Sequence, residues 1–377
     1  MRSLIAGVFS IIILVGSVGD NYQLEAQNDK MNLKRAQEFE FTSVPGAPDL
    51  IEMLSEYDDP RNDWDTARRH MRTIKLYHGQ VTKQTNPDIL RIVQGNTLER
   101  LVSTGSIRNI NLNFKMKLAL EVGAMKSHNC LYSEYDVQRA VNSVVDSVGE
   151  IYKAGGVVHR LDIDTSLADH CRATLNDVGF FVGRFIMRAQ DSIKLKQAEL
   201  KLEYPDSEFA PVHWAEIEPY PFRSISQHIT YVRKLQRDLI NLGYEPLEVY
   251  FLDIDPIIVS DAVLTRDFQV FREVCRSLGV KVGIIINGDD EDPKNPWLNK
   301  DLDYLRTAND RLARFKELGI IDGADVIMVQ SWATEANNNR TVPRNVPETG
   351  ITHTNFFVHV VKCATGVVDC ETYPELE

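Results

Sequence analysis

The chain contains 377 residues, of which 43% are hydrophobic and 25% are charged. This length can bury a large core, either as two small domains or as one large barrel, and the composition excludes a disordered chain. The formal net charge of -12 argues against a nucleic-acid partner, because binding a polyanion needs a basic face. A small neutral or cationic substrate is easier to accommodate.

The first 19 residues have the organisation of a secretory signal peptide. One arginine precedes an uncharged, mostly apolar run from Leu4 to Gly19, and the small residues at its end mark Ser17 or Gly19 as the last residue of the leader. An uncleaved N-terminal anchor is the alternative, although the run is slightly short for a membrane-spanning helix. We predict a secreted or periplasmic protein with a linker at residues 20–37, a catalytic domain at residues 38–377 and no further membrane association.

Eight short apolar runs follow the linker, and most of them are rich in Val, Ile, Phe and Tyr, as strands are. Several are followed by a segment with apolar residues at three- and four-residue intervals and a glycine just beyond it, which is typical of helices. The strand runs are FEFTSV (39–44), TIKLYHG (73–79), KMKLALEVG (115–123), VVHRLDID (157–164), VHWAEIEP (212–219), LEVYFLDIDP (247–256), KVGIIINGDD (281–290) and DVIMVQSWA (325–333).

This alternation predicts an α/β fold with a single (β/α)8 (TIM) barrel, since strand and helix units that repeat regularly pair in parallel. A doubly wound open sheet is the competing fold, but the glycine-rich turn GxGxxG that often follows its first strand is absent. The segment between Asp164 and Pro211 is long for one crossover. We therefore predict an insertion after the fourth strand, as one long helix or as a helix with a lid.

Five cysteines are too few for a disulfide scaffold, but an exported chain can pair some of them. Cys363 and Cys370 are close in sequence, Cys130 and Cys171 are a second possible pair, and Cys275 is then left over. Free structural thiols are the alternative. No CxxC spacing is present, so we expect neither a metal nor any other cofactor.

Polar residues cluster at the ends of the predicted strands, where barrel enzymes assemble their active sites. Side chains alternate between the two faces of a strand, and we expect the apolar ones to face the surrounding helices and the polar ones to face the barrel axis. The residues predicted to face inward are Glu121, Arg160, Asp162, Asp164, Trp214, Glu216, Glu218, Asp253, Asp255, Asn287, Asp289, Gln330 and Trp332.

Paired carboxylates beside tryptophan and tyrosine side chains indicate glycoside hydrolysis, in which one carboxyl group protonates the leaving oxygen and another attacks the sugar or activates water. The predicted catalytic residues are Glu218, Glu216, Asp162, Asp164, Asp253 and Asp255. The predicted substrate-binding residues are Arg160, Trp214, Trp332, Tyr77, Tyr220, Glu121, Asn287, Asp289 and Gln330. Helix capping by Asp164 or Asp255, and an ion pair of Asp162 or Asp253 with Arg160, are the structural alternatives.

In this arrangement the chain resembles the (β/α)8-barrel glycoside hydrolases as a broad group. Arg160, Leu161 and Asp162, an acidic residue on the fifth strand, and the run from Asn287 to Asp289 are similar in layout to the alpha-amylase type. That resemblance implies a nucleophilic aspartate on the fourth strand and an acidic glutamate on the fifth. The chain departs from it at Gly288, where a histidine is expected, so no specific family is assigned.

The sequence therefore predicts a hydrolase of a polysaccharide or oligosaccharide, with Glu218 as the acid and Asp162 or Asp164 as its partner. A second layout takes Asp162 or Asp164 from the fourth strand and Asp253 or Asp255 from the sixth. A metal-dependent sugar isomerase or epimerase, with oxygen ligands on these strands, is one alternative function. A non-catalytic carbohydrate-binding barrel is the other.

Overall fold

The computed structural model describes residues 37–42, 49–55, 64–81, 97–123, 129–164, 175–205, 209–288, 300–330 and 343–376. One compact unit spans Glu38–Glu377. Apart from Gln37, the predicted leader and linker lie outside the described residues and stay predictions. The segments 289–299 and 331–342, which contain Asp289 and Trp332, also lie outside them.

Eight parallel strands close into a barrel in sequence order, with the last strand pairing with the first. Each strand falls on one of the eight predicted runs, and the predicted single (β/α)8 barrel is confirmed. The strands are β1 (Glu38–Thr42), β2 (Met71–Tyr77), β3 (Lys117–Val122), β4 (Val158–Asp164), β5 (His213–Tyr220), β6 (Leu247–Ile254), β7 (Lys281–Ile286) and β8 (Val326–Gln330).

Helices connect and surround these strands, and the four segments whose periodicity predicts a helix, 97–106, 135–156, 224–244 and 266–280, all contain one. Gly243 and Gly279 adopt the left-handed conformation, with φ of 77° and 73°, just beyond two of these helices, as a glycine at a helix end does. The helices are α1 (Leu50–Ser55), α2 (Asp65–His70), α3 (His78–Val81), α4 (Thr97–Ser103), α5 (Ser106–Leu112), α6 (Glu134–Lys153), α7 (Leu175–Glu203), α8 (Ile225–Asn241), α9 (Asp261–Ser277), α10 (Lys300–Glu317), α11 (Ile320–Gly323) and α12 (His353–Ala364), with short 3-10 turns at Asn129–Leu131 and Pro374–Leu376.

The long segment after β4 contains one helix, α7, of 29 residues. At about 1.5 Å per residue it is about 44 Å long. It packs between α6 and α8, where the helix that connects β4 to β5 belongs. Much of the extra length is therefore a lengthened crossover helix, and a separate insertion stays a prediction.

Two apolar regions stabilise the barrel. The larger one fills the space between the strands and the helices. The smaller one lies inside the barrel and comes from β5 to β8 alone: it consists of Ala215, Ile217, Val249, Phe251, Ile285, Val326 and Met328. Opposite it, β1 to β4 turn polar side chains inward, so the interior has an apolar half and a polar half.

The cysteines divide into bonded and free ones. Cys363 and Cys370 form a disulfide, as the sequence allowed, and Cys275 is free and buried. Cys130 is disulfide-bonded, whereas its predicted partner, Cys171, lies outside the described residues. Of the helices described above, none is long and apolar enough to cross a membrane.

A substitution at Gly283 on β7 tests the packing inside the barrel, because a Cβ atom added there would lie 2.2 Å from Cδ1 of Phe251. We expect Gly283→Ala to lower the free energy of unfolding by about 1–3 kcal/mol, since the ring or the strand has to move. The control is Gly183→Ala in α7, where the added atom would meet only Leu235, at 3.5 Å. That variant should be unchanged or up to about 1 kcal/mol more stable, because glycine weakens a helix. Urea unfolding measures both, and equal losses would contradict the packing.

Candidate active site

A buried ion cluster crosses the barrel interior from β1 to β4. Arg160 donates from Nε and Nη2 to the two carboxylate oxygens of Asp162, at 2.6 and 3.0 Å, and from Nη1 and Nη2 to those of Glu40, at 2.7 and 2.6 Å. All three side chains are at most 5% exposed. Burial raises the pKa of Glu40 above its usual value against the opposing charge of Arg160. Asp162, a predicted catalytic residue, is thus the ion-pair partner of Arg160. This pairing was the structural alternative that the sequence analysis gave for Asp162.

A second cluster lies nearer the C-terminal ends of the strands, which we call the mouth of the barrel. Lys75 on β2 is fully buried, and its Nζ donates to Glu121 on β3 and to Oε1 of Gln330 on β8, the latter at 3.0 Å. The same Nζ lies 5.9 Å from the centre of the Tyr77 ring. Burial raises the pKa of Glu121 to about 7, and the charge of Asp164 adds to the rise while Lys75 opposes it.

Asp253 on β6 and Asp164 on β4 complete the mouth. Burial raises the pKa of Asp253, Arg311 opposes the rise, and the negative charge of Asp164 adds to it. Asn287, just beyond β7, donates from Nδ2 to Oδ1 of Asp253 at 3.4 Å. Since Asp164 also raises the pKa values of Glu121 and Tyr77, these groups share one space. The structure therefore brings together six predicted site residues: Tyr77, Glu121, Asp164, Asp253, Asn287 and Gln330.

Two buried polar atoms at the mouth have no hydrogen-bond partner among the described residues. Thr42 Oγ1 belongs to a fully buried side chain at the end of β1, in register with Lys75 and Gln330. Asn287 Oδ1 belongs to a side chain that is 7% exposed. A buried polar atom without a partner costs roughly 1–3 kcal/mol, so a hydrogen bond from water or from a ligand would stabilise both atoms.

The predicted inward orientation of Trp214, Glu216 and Glu218 on β5 is wrong. The ring of Trp214 packs against Phe185 of α7, with centroids 5.9 Å apart. Tyr231 of α8 donates to Oε1 of Glu216 at 3.0 Å. These three residues therefore face the helices, since alternation places Glu218 on the same side as the other two.

The physical reason is that the barrel interior at β5 is apolar. Ala215 and Ile217, which we expected to face the helices, pack inside the barrel with Phe251. The charge of Glu218 acts instead on the buried Tyr250 of the outer layer. The predicted pairing of Glu218 as an acid with Asp162 or Asp164 therefore has no geometric basis.

The predicted sugar-contacting Tyr220 points away from the mouth, and the predicted catalytic Asp255 is engaged in a turn. Tyr220 donates its hydroxyl to Oδ2 of Asp267 on α9, at 2.8 Å. Asp255 accepts a hydrogen bond from the backbone amide of Ile257, at 2.9 Å, and so stabilises the turn after β6. Both contacts are structural.

Glu40 and Lys75 are the interior residues that the sequence reasoning missed. Both stand at alternate positions of runs that read as apolar strands, FEFT and TIKLY. A charged side chain flanked by apolar ones was the available signal, because such a residue on a buried strand has to face a partner. In the described part of the chain, no group of three His, Cys, Asp or Glu side chains is placed to hold a metal ion.

No protein-family model matches this chain, and no curated protein matches it in sequence. Among solved structures it is similar to a candidate alpha-L-fucosidase from Bacteroides thetaiotaomicron VPI-5482, with a TM-score of 0.50, 10% identity, and coverage of 97% of this chain and 100% of that one. A thermostable mutant of the xylanase Xyn10A from Cellvibrio japonicus gives a TM-score of 0.49 at 11% identity, with 88% and 98% covered. At 10% identity the likeness to the first of these structures shows the fold alone, a (β/α)8 barrel.

The raised pKa of Glu121 has a consequence for stability. The folded protein holds this proton more tightly than the unfolded chain does, so the free energy of unfolding should fall as the pH rises from about 4.5 to about 7. The loss from this group is on the order of 3 kcal/mol. Unfolding measured at pH 5 and pH 7.5 should show a smaller loss for Glu121→Gln than for the unmodified chain. Identical losses would mean that Glu121 does not titrate in this range.

Proposed function

We propose that this protein is a glycoside hydrolase that uses Asp164 and Asp253 as its catalytic carboxyl groups. The observation that carries the proposal is that both face the mouth from β4 and β6 and act on each other electrostatically. They belong to the second layout that the sequence offered. Two carboxyl groups on one cleft are what glycosidic bond cleavage requires.

Their environments favour different roles. Desolvation raises the pKa of Asp253, and a raised pKa suits the group that protonates the leaving oxygen, so we assign Asp253 the role of the acid. Asp164 then serves as the carboxylate that attacks the anomeric carbon or removes a proton from an attacking water. Asn287 holds Asp253 in position through its amide hydrogen bond. A poly- or oligosaccharide is the substrate class.

The surrounding groups support this chemistry by position. The Tyr77 ring lies beside the mouth, with the Lys75 ammonium 5.9 Å from its centre, and we assign it a contact with the sugar. Lys75 fixes Glu121 and Gln330. Because the Glu121 carboxylate forms an ion pair with Lys75, Glu121 is poorly suited to bind a metal ion. The metal-dependent isomerase is therefore the weaker alternative.

Fold-level likeness adds a smaller argument. Solved barrels of similar shape include a candidate alpha-L-fucosidase. One fold hosts many chemistries, so this likeness makes a glycosidase more plausible without assigning one. The proposal stands on the two carboxyl groups at the mouth.

The test is substitution of each proposed catalytic carboxyl group by its amide. On a panel of glycans with reducing-end detection, we expect Asp164→Asn and Asp253→Asn each to lower kcat by at least about 100-fold, the usual contribution of an acid or base. Asp255→Asn, on the same strand end but engaged in a turn, is the matched control and should retain activity.

Glu216→Gln separates the two layouts. Glu216 contacts α8, so this variant should lose stability and keep kcat. Loss of kcat in a folded Glu216→Gln protein, with activity retained in Asp253→Asn, would overturn the assignment.

We also propose that the protein is exported. The apolar leader from Leu4 to Gly19 supports this, as do the Cys363–Cys370 disulfide and the bonded state of Cys130, because structural disulfides persist in oxidising compartments. Intact-mass analysis of the protein produced with its leader in an export-competent host should find a chain that begins just after Ser17 or Gly19. A full-length intracellular chain with alkylatable Cys363 would argue against export.

A further inference from the structure

Four aromatic side chains lie together on the outer surface of the barrel, where α6 and α7 begin. Tyr132 and Tyr135 lie at the start of α6. Phe180 and Phe181 lie in the second turn of α7. The Phe181 ring packs edge to face on Tyr132 and on Phe180, with centroids 5.8 Å apart in both pairs. Tyr132, Tyr135 and Phe180 are 43%, 69% and 57% exposed. We call these four residues the rim aromatics.

Arginine side chains connect the rim aromatics and supply hydrogen-bonding groups between them. The Arg184 guanidinium lies 5.3 Å from the centre of the Phe180 ring and binds Glu134, the residue before Tyr135. The Arg139 guanidinium lies 5.6 Å from the centre of the Tyr135 ring. Exposed rings and polar groups therefore alternate over this part of the surface.

The backbone that leads into Tyr132 is held in an unusual conformation. Asn129, Cys130 and Leu131 are all left-handed, with φ of 47°, 56° and 57°, in a region that favours glycine. Such strain persists only where the surrounding structure holds it. Here Cys130 is disulfide-bonded, and Arg184 donates to the carbonyl oxygen of Leu131 at 3.3 Å. The Tyr132 ring is therefore presented on a fixed backbone, which lowers the entropic cost of binding a ligand.

The rim aromatics lie at the same end of the barrel as the mouth. The chain passes from the C-terminal end of β3 into α6 and from that of β4 into α7, so both helices begin at the mouth end. The same two strands carry Glu121 and Asp164 into the candidate active site. A sugar chain that is too long for the mouth leaves the barrel at this end, and on the side of β3 and β4 it meets the rim aromatics.

We propose that the rim aromatics bind sugar rings of a polysaccharide whose chain continues into the mouth, so that the substrate is a polymer and not a short oligosaccharide. This inference rests on the proposed glycoside hydrolase function and narrows its substrate class. The apolar face of a sugar ring packs on an aromatic ring, and the hydroxyl groups around its edge accept hydrogen bonds from Arg139 and Arg184.

A protein partner, or a second copy of this chain, is the competing occupant, because tyrosine and arginine side chains are also frequent in protein interfaces. The position of the rim aromatics favours the sugar polymer. They lie at the end of the barrel where the proposed substrate enters, and their rings are accompanied by hydrogen-bonding groups, as a sugar with apolar faces and a polar edge requires.

The experiment measures binding of the full chain to polymers by native electrophoresis in gels that contain arabinoxylan, mixed-linkage β-glucan, glucomannan or soluble starch. We expect at least one of these polymers to retard the unmodified chain. Tyr135→Ala combined with Phe180→Ala should raise the Kd for that polymer at least about tenfold, which corresponds to about 1.4 kcal/mol. Tyr135→Phe combined with Phe180→Tyr keeps both rings and should bind as the unmodified chain does.

Two controls assign the effect to the rim. Tyr204, which follows the C-terminal end of α7, is 41% exposed and lies about 36 Å along the helix from Phe180. Tyr204→Ala should therefore leave the polymer affinity unchanged. A trisaccharide of the same polymer should have the same KM with the unmodified chain and with the double alanine variant, because it is short enough to occupy the mouth alone. Both substituted rings are more than half exposed, so the variant should keep its fold, which circular dichroism checks.

The outcomes separate this inference from the proposed function. Hydrolysis of a polymer with the same KM in the double alanine variant overturns the inference and leaves the hydrolase proposal standing. Polymer binding that the double alanine variant loses, without hydrolysis of any glycan, supports the rim site and overturns the hydrolase proposal. If no polymer retards the unmodified chain, or if sedimentation finds a dimer that the double alanine variant does not form, the inference is overturned.

Discussion

The structure depends first on the buried guanidinium of Arg160, which binds Asp162 on its own strand, β4, and connects β4 to β1 through Glu40. Charges removed from water cost several kcal/mol each unless they are paired, so the two carboxylates can lie inside the barrel only because Arg160 binds both of them. Lys75 does the same for Glu121 nearer the mouth. These ion pairs make up the polar half of the interior, and the proposed site at the mouth depends on them.

The division of the interior into a polar and an apolar half shapes this site. β5 contributes Ala215 and Ile217, which pack with Phe251 below the mouth. Asp164 and Asp253 therefore stand on the strands at either side of β5, with apolar side chains of β5 between them. In such surroundings the negative charge of Asp164 is weakly screened, so it adds to the rise in the pKa of Asp253.

The fold was predictable from the sequence, but the face of β5 that turns toward the interior was not. The run LDID on β4 has apolar and charged residues in strict alternation, so Asp162 and Asp164 were placed correctly. The run HWAEIEPY on β5 has apolar residues on both faces, because Trp214 packs on Phe185 while Ala215 packs inside the barrel. Because side chains alternate along a strand, β5 can turn either of its two faces toward the interior. Only its pairing with β4 and β6, which sets Glu216 beside Ile163 and Tyr250, decides which face that is.

The same strand explains why the carboxyl groups of the mouth come from its neighbours. On its outer face, Glu216 accepts from Tyr231 and Tyr220 donates to Asp267, so β5 anchors α8 and α9 through buried polar contacts. Reversing the phase would bring Glu216 into the apolar half of the interior and turn Ala215 toward the helices, so neither α8 nor α9 would keep its hydrogen bond to β5. In the observed phase the inward side chains of β5 include Ala215 and Ile217, so this strand brings neither of its glutamates to the interior. The two carboxyl groups that we propose as catalytic consequently belong to β6 and β4.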